Sequence, residues 1–160
     1  MAVPCRENVL ELWMDRVLRS YPSQSTEFLA RERDQFRNPV GNTMRQGLDV
    51  LLDELMGAMD EARISAALDS IMQIRAIQGL EPSQAVEFLF QFKPILRRQL
   101  AGAELALVED RIDELVLRGF DLFMRYRERT YRVKTNEARR RLFVLERRLA
   151  PNEVELEETH

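Results

Sequence analysis

The chain has 160 residues, of which 45% are hydrophobic and 32% are charged, and its formal net charge is −3. This length and balance are typical of one globular domain with its own core, and they exclude a largely disordered chain. The small negative charge argues against non-specific binding of nucleic acid or membranes by the chain as a whole.

Apolar residues recur every three or four positions along nearly the whole chain, which predicts helices rather than strands. We expect a first helix over residues 7–21 and a shorter second helix over 26–36. The second should end before Asn38-Pro39, because the residue before a proline avoids the helical region. The predicted apolar residues are Leu10, Trp13, Val17 and Tyr21 in the first helix, and Phe28, Leu29 and Phe36 in the second.

A third helix is predicted over residues 40–59, and a fourth should follow the capping residue Asp60 and end at Gly79. Arg75 lies near the apolar stripe of the fourth helix, and a partly buried arginine needs an acidic partner. We therefore predict a structural salt bridge for Arg75, with an anion contact as the alternative. The predicted stripes are Met44, Leu48, Leu51, Leu55 and Met59 in the third helix, and Ile64, Leu68, Ile71, Ile74 and Ile77 in the fourth.

Pro82 should open a fifth helix, and Pro94 should kink it by displacing the carbonyl of Phe90. The last helix is expected to start near Glu104 and to continue to Leu149. Its connections and those before it are short, so neighbouring helices should pack antiparallel. The fold class is therefore all-α, a bundle of about six helices with a long C-terminal helix. The predicted stripes are Val86, Leu89, Phe92, Leu96 and Leu100, followed by Leu105, Val108, Ile112, Leu115, Phe120 and Phe123.

Charge is concentrated in the last helix. Residues 125–149 contain ten Arg or Lys and three Glu, whereas the segment after Pro151 contains four Glu. We assign residues 1–150 to one helical domain, within which 125–149 form a basic C-terminal helix. Residues 151–160 are predicted to form an acidic, disordered tail.

The basic helix also carries an apolar seam. In a parallel pair of such helices, Arg141 would face Glu146 favourably, whereas Lys134 would face Arg139 unfavourably. We predict that the seam contacts a second copy or another protein, and the alternative is that the helix folds back on its own bundle. The seam residues Tyr131, Thr135, Ala138, Leu142, Leu145 and Leu149 are spaced 4, 3, 4, 3 and 4 apart, and all except Thr135 form the candidate interface.

Residues for catalysis and cofactor binding are scarce. The one histidine is His160, so the chain lacks a Ser-His or Cys-His pair, a usual zinc site and a histidine-ligated haem. No glycine-rich phosphate loop is present. We expect a protein that is not an enzyme and that binds no metal or cofactor, in particular no haem or flavin. The single cysteine, Cys5, is interpreted as incidental rather than reactive.

Two aromatic groups have both a structural and a binding interpretation. Trp13 is in register with Leu10 and Val17, which favours a core residue over one that stacks on a ligand. Phenylalanines surround the fifth helix, which favours burial on several sides over a pocket for a lipophilic ligand. These phenylalanines are Phe88, Phe90 and Phe92.

No segment has the pattern of a signal peptide or a membrane span. The N-terminus lacks a basic region followed by an apolar one. The longest apolar stretch, 85–92, is interrupted by Glu87 and Gln91, and it is far shorter than the roughly 20 residues that a membrane helix needs. We therefore expect a cytoplasmic protein.

Four strings occur together in the order seen in one family. They are ENVLELWMDRVLRSYP, FRNPVGNTMRQGLDVLLDEL, MQIRAIQGLEPSQAVEFLFQFKPIL and RIDELVLRGFDLFMRYRERTYRVKTNEARRR. Over residues 7–148 the chain resembles the RsbRD-type N-terminal domain, which is related in role to the sensory N-terminal half of stressosome RsbR proteins. The NPVG and IRAIQGLEPSQAVEF stretches are its most specific parts.

The resemblance implies an α-helical regulatory or sensory module that acts by protein–protein interaction and forms a homodimer. In the stressosome branch the comparable domain resembles a globin that has lost its haem, and its last helix leads into a STAS output domain. The present sequence stops where that output domain, or a histidine-kinase core, would be expected to begin, so the resemblance does not imply signalling through an attached effector.

Two other functions fit the residues. A scaffold would use the basic C-terminal helix to join complexes. A nucleic-acid-binding regulator would use the same arginines, with Tyr126 and Tyr131 available for stacking. Nucleic acid is the less favoured partner, because three glutamates interrupt the basic helix and an acidic segment follows it.

Overall fold

The computed structural model describes residues 6–19 and 38–149, and this part of the chain contains five helices and a single-turn segment. The all-α fold with a long C-terminal helix is therefore confirmed. The expected helix over 26–36 lies outside the described residues, as do Cys5, His160 and the acidic segment 151–160. The elements are α1 (Arg6–Leu18), α2 (Pro39–Met56), α3 (Glu61–Ala76), α4 (Pro82–Phe90), α5 (Lys93–Leu96) and α6 (Gly102–Leu149).

The chain divides into two units within α6. The first unit ends at Tyr126, and the second begins at Arg127. Among the described residues, the buried apolar side chains all belong to the first unit. The second unit is described from Arg127 to Leu149 as part of one continuous helix.

The starts of α2 and α3 are set by short-range caps. Asn38 Oδ1 accepts a hydrogen bond from the Gly41 amide at 2.8 Å, and Asp60 Oδ1 accepts one from the Arg63 amide at 2.9 Å. Each side chain satisfies an amide that has no partner within the first turn of its helix. The predicted cap at Asp60 is confirmed, and Pro82 occupies the predicted first position of α4.

The fifth predicted helix is broken rather than kinked. α4 ends at Phe90 and α5 begins at Lys93, so Pro94 lies in the first turn of a new segment. Between them, the Phe92 amide donates to the Leu89 carbonyl at 3.2 Å, which is the spacing of a tightened turn. A proline has no amide hydrogen to continue α4, and its ring excludes a helical carbonyl one turn earlier.

The core follows most of the predicted stripes, but Met59, Ile74 and Leu105 are only partly buried, and Ile77 and Phe120 are exposed. Ile77 is 76% exposed because α3 ends at Ala76. Phe120 is 41% exposed, since the buried face of α6 is centred near Gly119 and Phe120 lies about 100° around the helix. Of the three phenylalanines expected around a helix buried on several sides, Phe88 and Phe92 are buried, whereas Phe90 is exposed. The buried members of the predicted stripes are Leu10, Trp13, Val17, Met44, Leu48, Leu51, Leu55, Ile64, Leu68, Ile71, Val86, Leu89, Phe92, Leu96, Leu100, Val108, Ile112, Leu115 and Phe123.

Gly119 allows α6 to approach two neighbouring helices closely. A Cβ atom at this position would lie 2.8 Å from Met72 Cε on α3 and 3.3 Å from Leu89 Cδ1 on α4. These separations are shorter than ordinary carbon–carbon contacts. The absence of a side chain at Gly119 therefore fixes which face of α6 is buried.

Candidate functional site

The clearest candidate interaction surface is an exposed apolar face on the second unit. We call it the distal face and define it by Tyr131, Ala138, Leu142, Leu145 and Leu149. Leu142 and Leu145 are 57% and 52% exposed, and Leu149 is 79% exposed. Tyr131 and Ala138 are exposed as well. The structure therefore leaves all five predicted interface residues accessible on one helix.

Further exposed apolar residues lie beside the distal face. Val133, Phe143 and Val144 are exposed, and they do not belong to the 4, 3 spacing of the face. The guanidinium of Arg147 lies 5.7 Å from the centre of the Phe143 ring. Arg127 lies over the Tyr131 ring at 5.6 Å, and one of its nitrogens is 3.3 Å from the Tyr131 hydroxyl. The second unit thus exposes more apolar surface than a narrow two-helix seam requires.

Arg75, the other predicted site residue, is buried in the first unit with 0% exposure. Its Nε donates to the Ala85 carbonyl at 2.8 Å, and a terminal nitrogen donates to the Gln84 carbonyl at 2.9 Å. The guanidinium also lies 5.1 Å from the centre of the Phe88 ring. These contacts attach α3 to the first turns of α4. The predicted salt bridge, and an anion contact as its alternative, stay predictions.

Trp13 is part of an aromatic group in the core, as its register predicted. It is fully buried, and its indole N–H donates to the Phe88 carbonyl at 2.8 Å. Its ring stacks on Phe92 with centroids 4.1 Å apart, and the Phe88 ring is 6.5 Å away. Trp13 therefore joins α1 to the end of α4 and to the break that follows it.

Ion pairs at the surface reinforce the attachment of α1. Arg6 Nε donates to Asp53 Oδ1 at 2.9 Å, and another nitrogen of Arg6 lies 2.7 Å from Asp49. The hydrogen bond to Asp53, followed by the interactions with Asp49, raises the pKa of Arg6 above its usual value, although partial burial opposes this. These side chains are more than 40% exposed, so the pairs contribute at most about 1 kcal/mol each.

The last turn of α2 contains a buried carboxylate that sequence analysis missed and that contacts the turn leading to α3. Glu54 is 3% exposed; Oε2 accepts from the Asp60 amide at 2.8 Å, and Oε1 pairs with Arg63. Arg111 of α6 donates to the carbonyls of Leu55 and Gly57 at 2.7 and 3.1 Å. The available signal was an acidic residue within the apolar run LLDELM close to a helix end.

Removal of the Glu54 carboxylate should destabilise this turn. We expect Glu54→Ala to lower the free energy of unfolding by about 1–3 kcal/mol, because the Asp60 amide and Arg63 lose their acceptor. Urea denaturation would measure this loss. The control Glu61→Ala removes a carboxylate that is 79% exposed and should cost less than about 0.5 kcal/mol. Equal losses for both variants would contradict the structural role of Glu54.

A surface groove of about 490 Å³ lies between α3 and α6 within the first unit. Tyr126 donates from its hydroxyl to Asp69 at 2.6 Å, and Asp69 lines the groove. Arg118, which also lines it, pairs with Glu114 and lies 3.6 Å from Glu61. The groove thus mixes both signs of charge. Its full lining is Glu61, Ser65, Ala66, Leu68, Asp69, Arg118, Asp121, Leu122 and Arg125.

None of the helices in residues 6–19 and 38–149 combines the length and apolar character that crossing a membrane requires. Within the same residues, no group of three or more His, Cys, Asp or Glu side chains is placed to hold a metal ion.

Comparison with known families identifies most of the chain. Neither the curated proteins nor the solved structures contain a match to it. Residues 7–138 match the family described as the RsbT co-antagonist protein rsbRD N-terminal domain. Membership of this family implies a regulatory or sensory role related to the stressosome. The resemblance over residues 7–148 is thereby confirmed for most of its length, and the chain belongs to the rsbRD N-terminal domain family.

Proposed function

We propose that this chain is a cytoplasmic regulatory module that is not an enzyme and that acts by contacting another protein. We propose further that a second copy of the chain contacts the distal face, so that the module is a homodimer. The observation that carries the proposal is the exposure of Leu142, Leu145 and Leu149 on one helix. Family membership supports the regulatory role.

Apolar burial provides the physical reason for pairing. Burying a leucine contributes roughly 1.5–3 kcal/mol relative to leaving it in water. Soluble proteins rarely expose contiguous apolar surface unless it is an interaction site. A closed two-fold pair is the commonest oligomer, and in such a pair each copy covers the leucines of the other.

Light scattering on the purified chain tests the homodimer. We expect the wild type to have the mass of two chains and the double variant Leu142→Asp with Leu145→Asp to be folded and monomeric. The substitutions remove the burial of two leucines in each chain and place two charged groups where they must be desolvated, which costs several kcal/mol. Circular dichroism should show that the variant retains its helices.

A matched control separates loss of the interface from loss of the helix. Val133 and Val144 are also exposed and apolar, but in the heptad of the seam they fall on the opposite side. Val133→Asp with Val144→Asp should therefore remain dimeric. A wild type that is already monomeric at micromolar concentration would refute the homodimer, and dissociation by the control would show that both variants disrupt the helix.

The scaffold remains the second candidate, because the same exposed helix is rich in arginine. In that function the helix joins two different proteins, and its state does not depend on a signal. Purification of the chain from its native cell, followed by identification of the bound proteins, distinguishes the two. A scaffold should carry a constant set of partners under all growth conditions, whereas a sensor should exchange them.

A further inference from the structure

The charges beside the distal face have a regular arrangement on the second unit. In the heptad repeat, Tyr131, Ala138 and Leu145 occupy one seam position, and Thr135, Leu142 and Leu149 occupy the other. The two positions that border the seam decide which helices can pair with it, because their side chains meet those of the partner helix. From residue 127 to 148 these bordering residues are Arg127, Arg132, Lys134, Arg139, Arg141, Glu146 and Arg148.

Six of these seven bordering residues are basic. Arg141 pairs with Glu137 on its own helix, and Arg127 lies over the Tyr131 ring. Within residues 6–19 and 38–149, no carboxylate pairs with the other four basic residues on the borders. These four residues are Arg132, Lys134, Arg139 and Arg148, and all are exposed.

A second copy of the helix would cover the apolar seam, but it would place like charges opposite each other at the bordering positions. In a parallel pair, Arg127 and Lys134 would face Arg132 and Arg139 of the other copy, and Arg141 alone would face a glutamate. An antiparallel pair would bring Lys134, Arg141 and Arg148 of both copies onto the same side. Like charges at such positions weaken the pairing, whereas opposite charges strengthen it.

We propose that the distal face binds an amphipathic helix of another protein whose borders are acidic, and that this helix displaces the second copy. The inference rests on the proposed function in placing a protein partner on the distal face. Charge complementarity carries it, because glutamates at the partner's borders would pair with basic residues that have no carboxylate partner in the part of the chain that the structure describes. A nucleic acid would match the charge but would leave Leu142 and Leu145 in water, so the half-exposed leucines favour a helix.

Three synthetic peptides test the charge preference. Each is a helix of about three heptads with leucine at the seam positions, and they carry glutamate, glutamine or lysine at the bordering positions. Fluorescence anisotropy measures the binding of each labelled peptide to the full chain. We expect the glutamate peptide to bind at least about tenfold more tightly than the glutamine peptide, a difference of about 1.4 kcal/mol. The lysine peptide should bind most weakly, and added salt should reduce the differences in affinity among the three peptides.

Charge reversal at the borders should invert the preference. The double variant Lys134→Glu with Arg148→Glu is expected to bind the glutamate peptide more weakly and the lysine peptide more tightly than the wild type does. The matched control is Arg140→Glu with Arg147→Glu, which changes the net charge equally but lies opposite the seam. Each pair includes one residue of the last turn of α6, so both variants carry the same unfavourable charge at the helix end. The control should retain the wild-type preference.

Several results would overturn the inference. Equal affinity for the glutamate and glutamine peptides would remove the charge preference. If the control variant changes the peptide affinities as much as Lys134→Glu with Arg148→Glu does, the preference reflects non-specific attraction between opposite net charges. If Leu142→Ser with Leu145→Ser leaves binding unchanged and duplex DNA competes with the peptide, the face binds polyanions rather than a helix.

The homodimer hypothesis and the acidic-partner hypothesis can be refuted independently of each other. A wild type that is dimeric by light scattering but binds no peptide would overturn the inference and leave the homodimer intact. A monomeric wild type that prefers the glutamate peptide would refute the homodimer and support the acidic partner. When both hold, the glutamate peptide should convert dimers into complexes of one chain and one peptide.

Discussion

Trp13→Ala is expected to lower the free energy of unfolding by about 3–5 kcal/mol. The side chain is fully buried, and its ring stacks on Phe92 at 4.1 Å. The substitution leaves a cavity between α1 and α4 and removes the indole donor from the Phe88 carbonyl. Urea denaturation followed by circular dichroism would measure the loss, since the variant has no tryptophan to report it.

Two further variants divide this effect into its parts. Trp13→Phe retains most of the ring but not the N–H, so it should cost about 1–3 kcal/mol, mainly for the unsatisfied Phe88 carbonyl. Leu12→Ala removes a neighbouring side chain that is 41% exposed, and it should cost about 1 kcal/mol or less. If Trp13→Ala costs no more than Leu12→Ala, α1 is not anchored by this residue.

Arg75→Ala should be the second severe substitution, with an expected loss of about 2–5 kcal/mol from two unsatisfied carbonyls and an emptied volume. Arg75 is fully buried, and its guanidinium donates to the carbonyls of Gln84 and Ala85. The substitution leaves these acceptors without their donors and removes the contact with Phe88. The first turn of α4 would then lose these hydrogen bonds to α3, and the midpoint of thermal unfolding should fall accordingly.

Conservative replacements at Arg75 show whether its hydrogen bonds or its side-chain volume contribute more to the free energy of unfolding. Arg75→Met fills similar space without donors, whereas Arg75→Lys keeps the charge but cannot reproduce the planar geometry of two donors and a stacked face. We expect both to be destabilised, and Arg75→Met should be more stable than Arg75→Ala. A variant Arg75→Met as stable as the wild type would show that the two hydrogen bonds contribute nothing.

Those parts of the fold that depend on short-range signals could be predicted from sequence. The cap at Asp60 and the interruption near Pro94 follow from groups within four residues of each other along the chain. The exposure of Ile77 and Phe120 could not be predicted, because it depends on where α3 ends and on how closely α6 approaches Met72 and Leu89 at Gly119. Helical periodicity predicts that one face of a helix is buried, but the packing of neighbouring helices decides which residue lies at the centre of that face.

The candidate site shows the same division. The distal face was evident from the heptad spacing of Leu142, Leu145 and Leu149, which is a property of one helix alone. The carbonyl partners of Arg75 were not evident, because any main-chain oxygen can accept and the sequence carries no sign of which ones do. The buried Glu54 was missed for a similar reason, since one of its two oxygens accepts from a backbone amide.

The position of Trp13 gives the protein an optical reporter. It is the only tryptophan in the chain, and its indole is buried against Phe92 in the first unit. The second unit, from Arg127 to Leu149, has Tyr131 as its only aromatic fluorophore of the tyrosine or tryptophan type. Tryptophan emission should therefore stay blue-shifted and unchanged when a helix binds the distal face, unless that event alters the core. A shift of the emission on binding would be direct evidence that occupancy of the distal face is transmitted to the residues around Trp13.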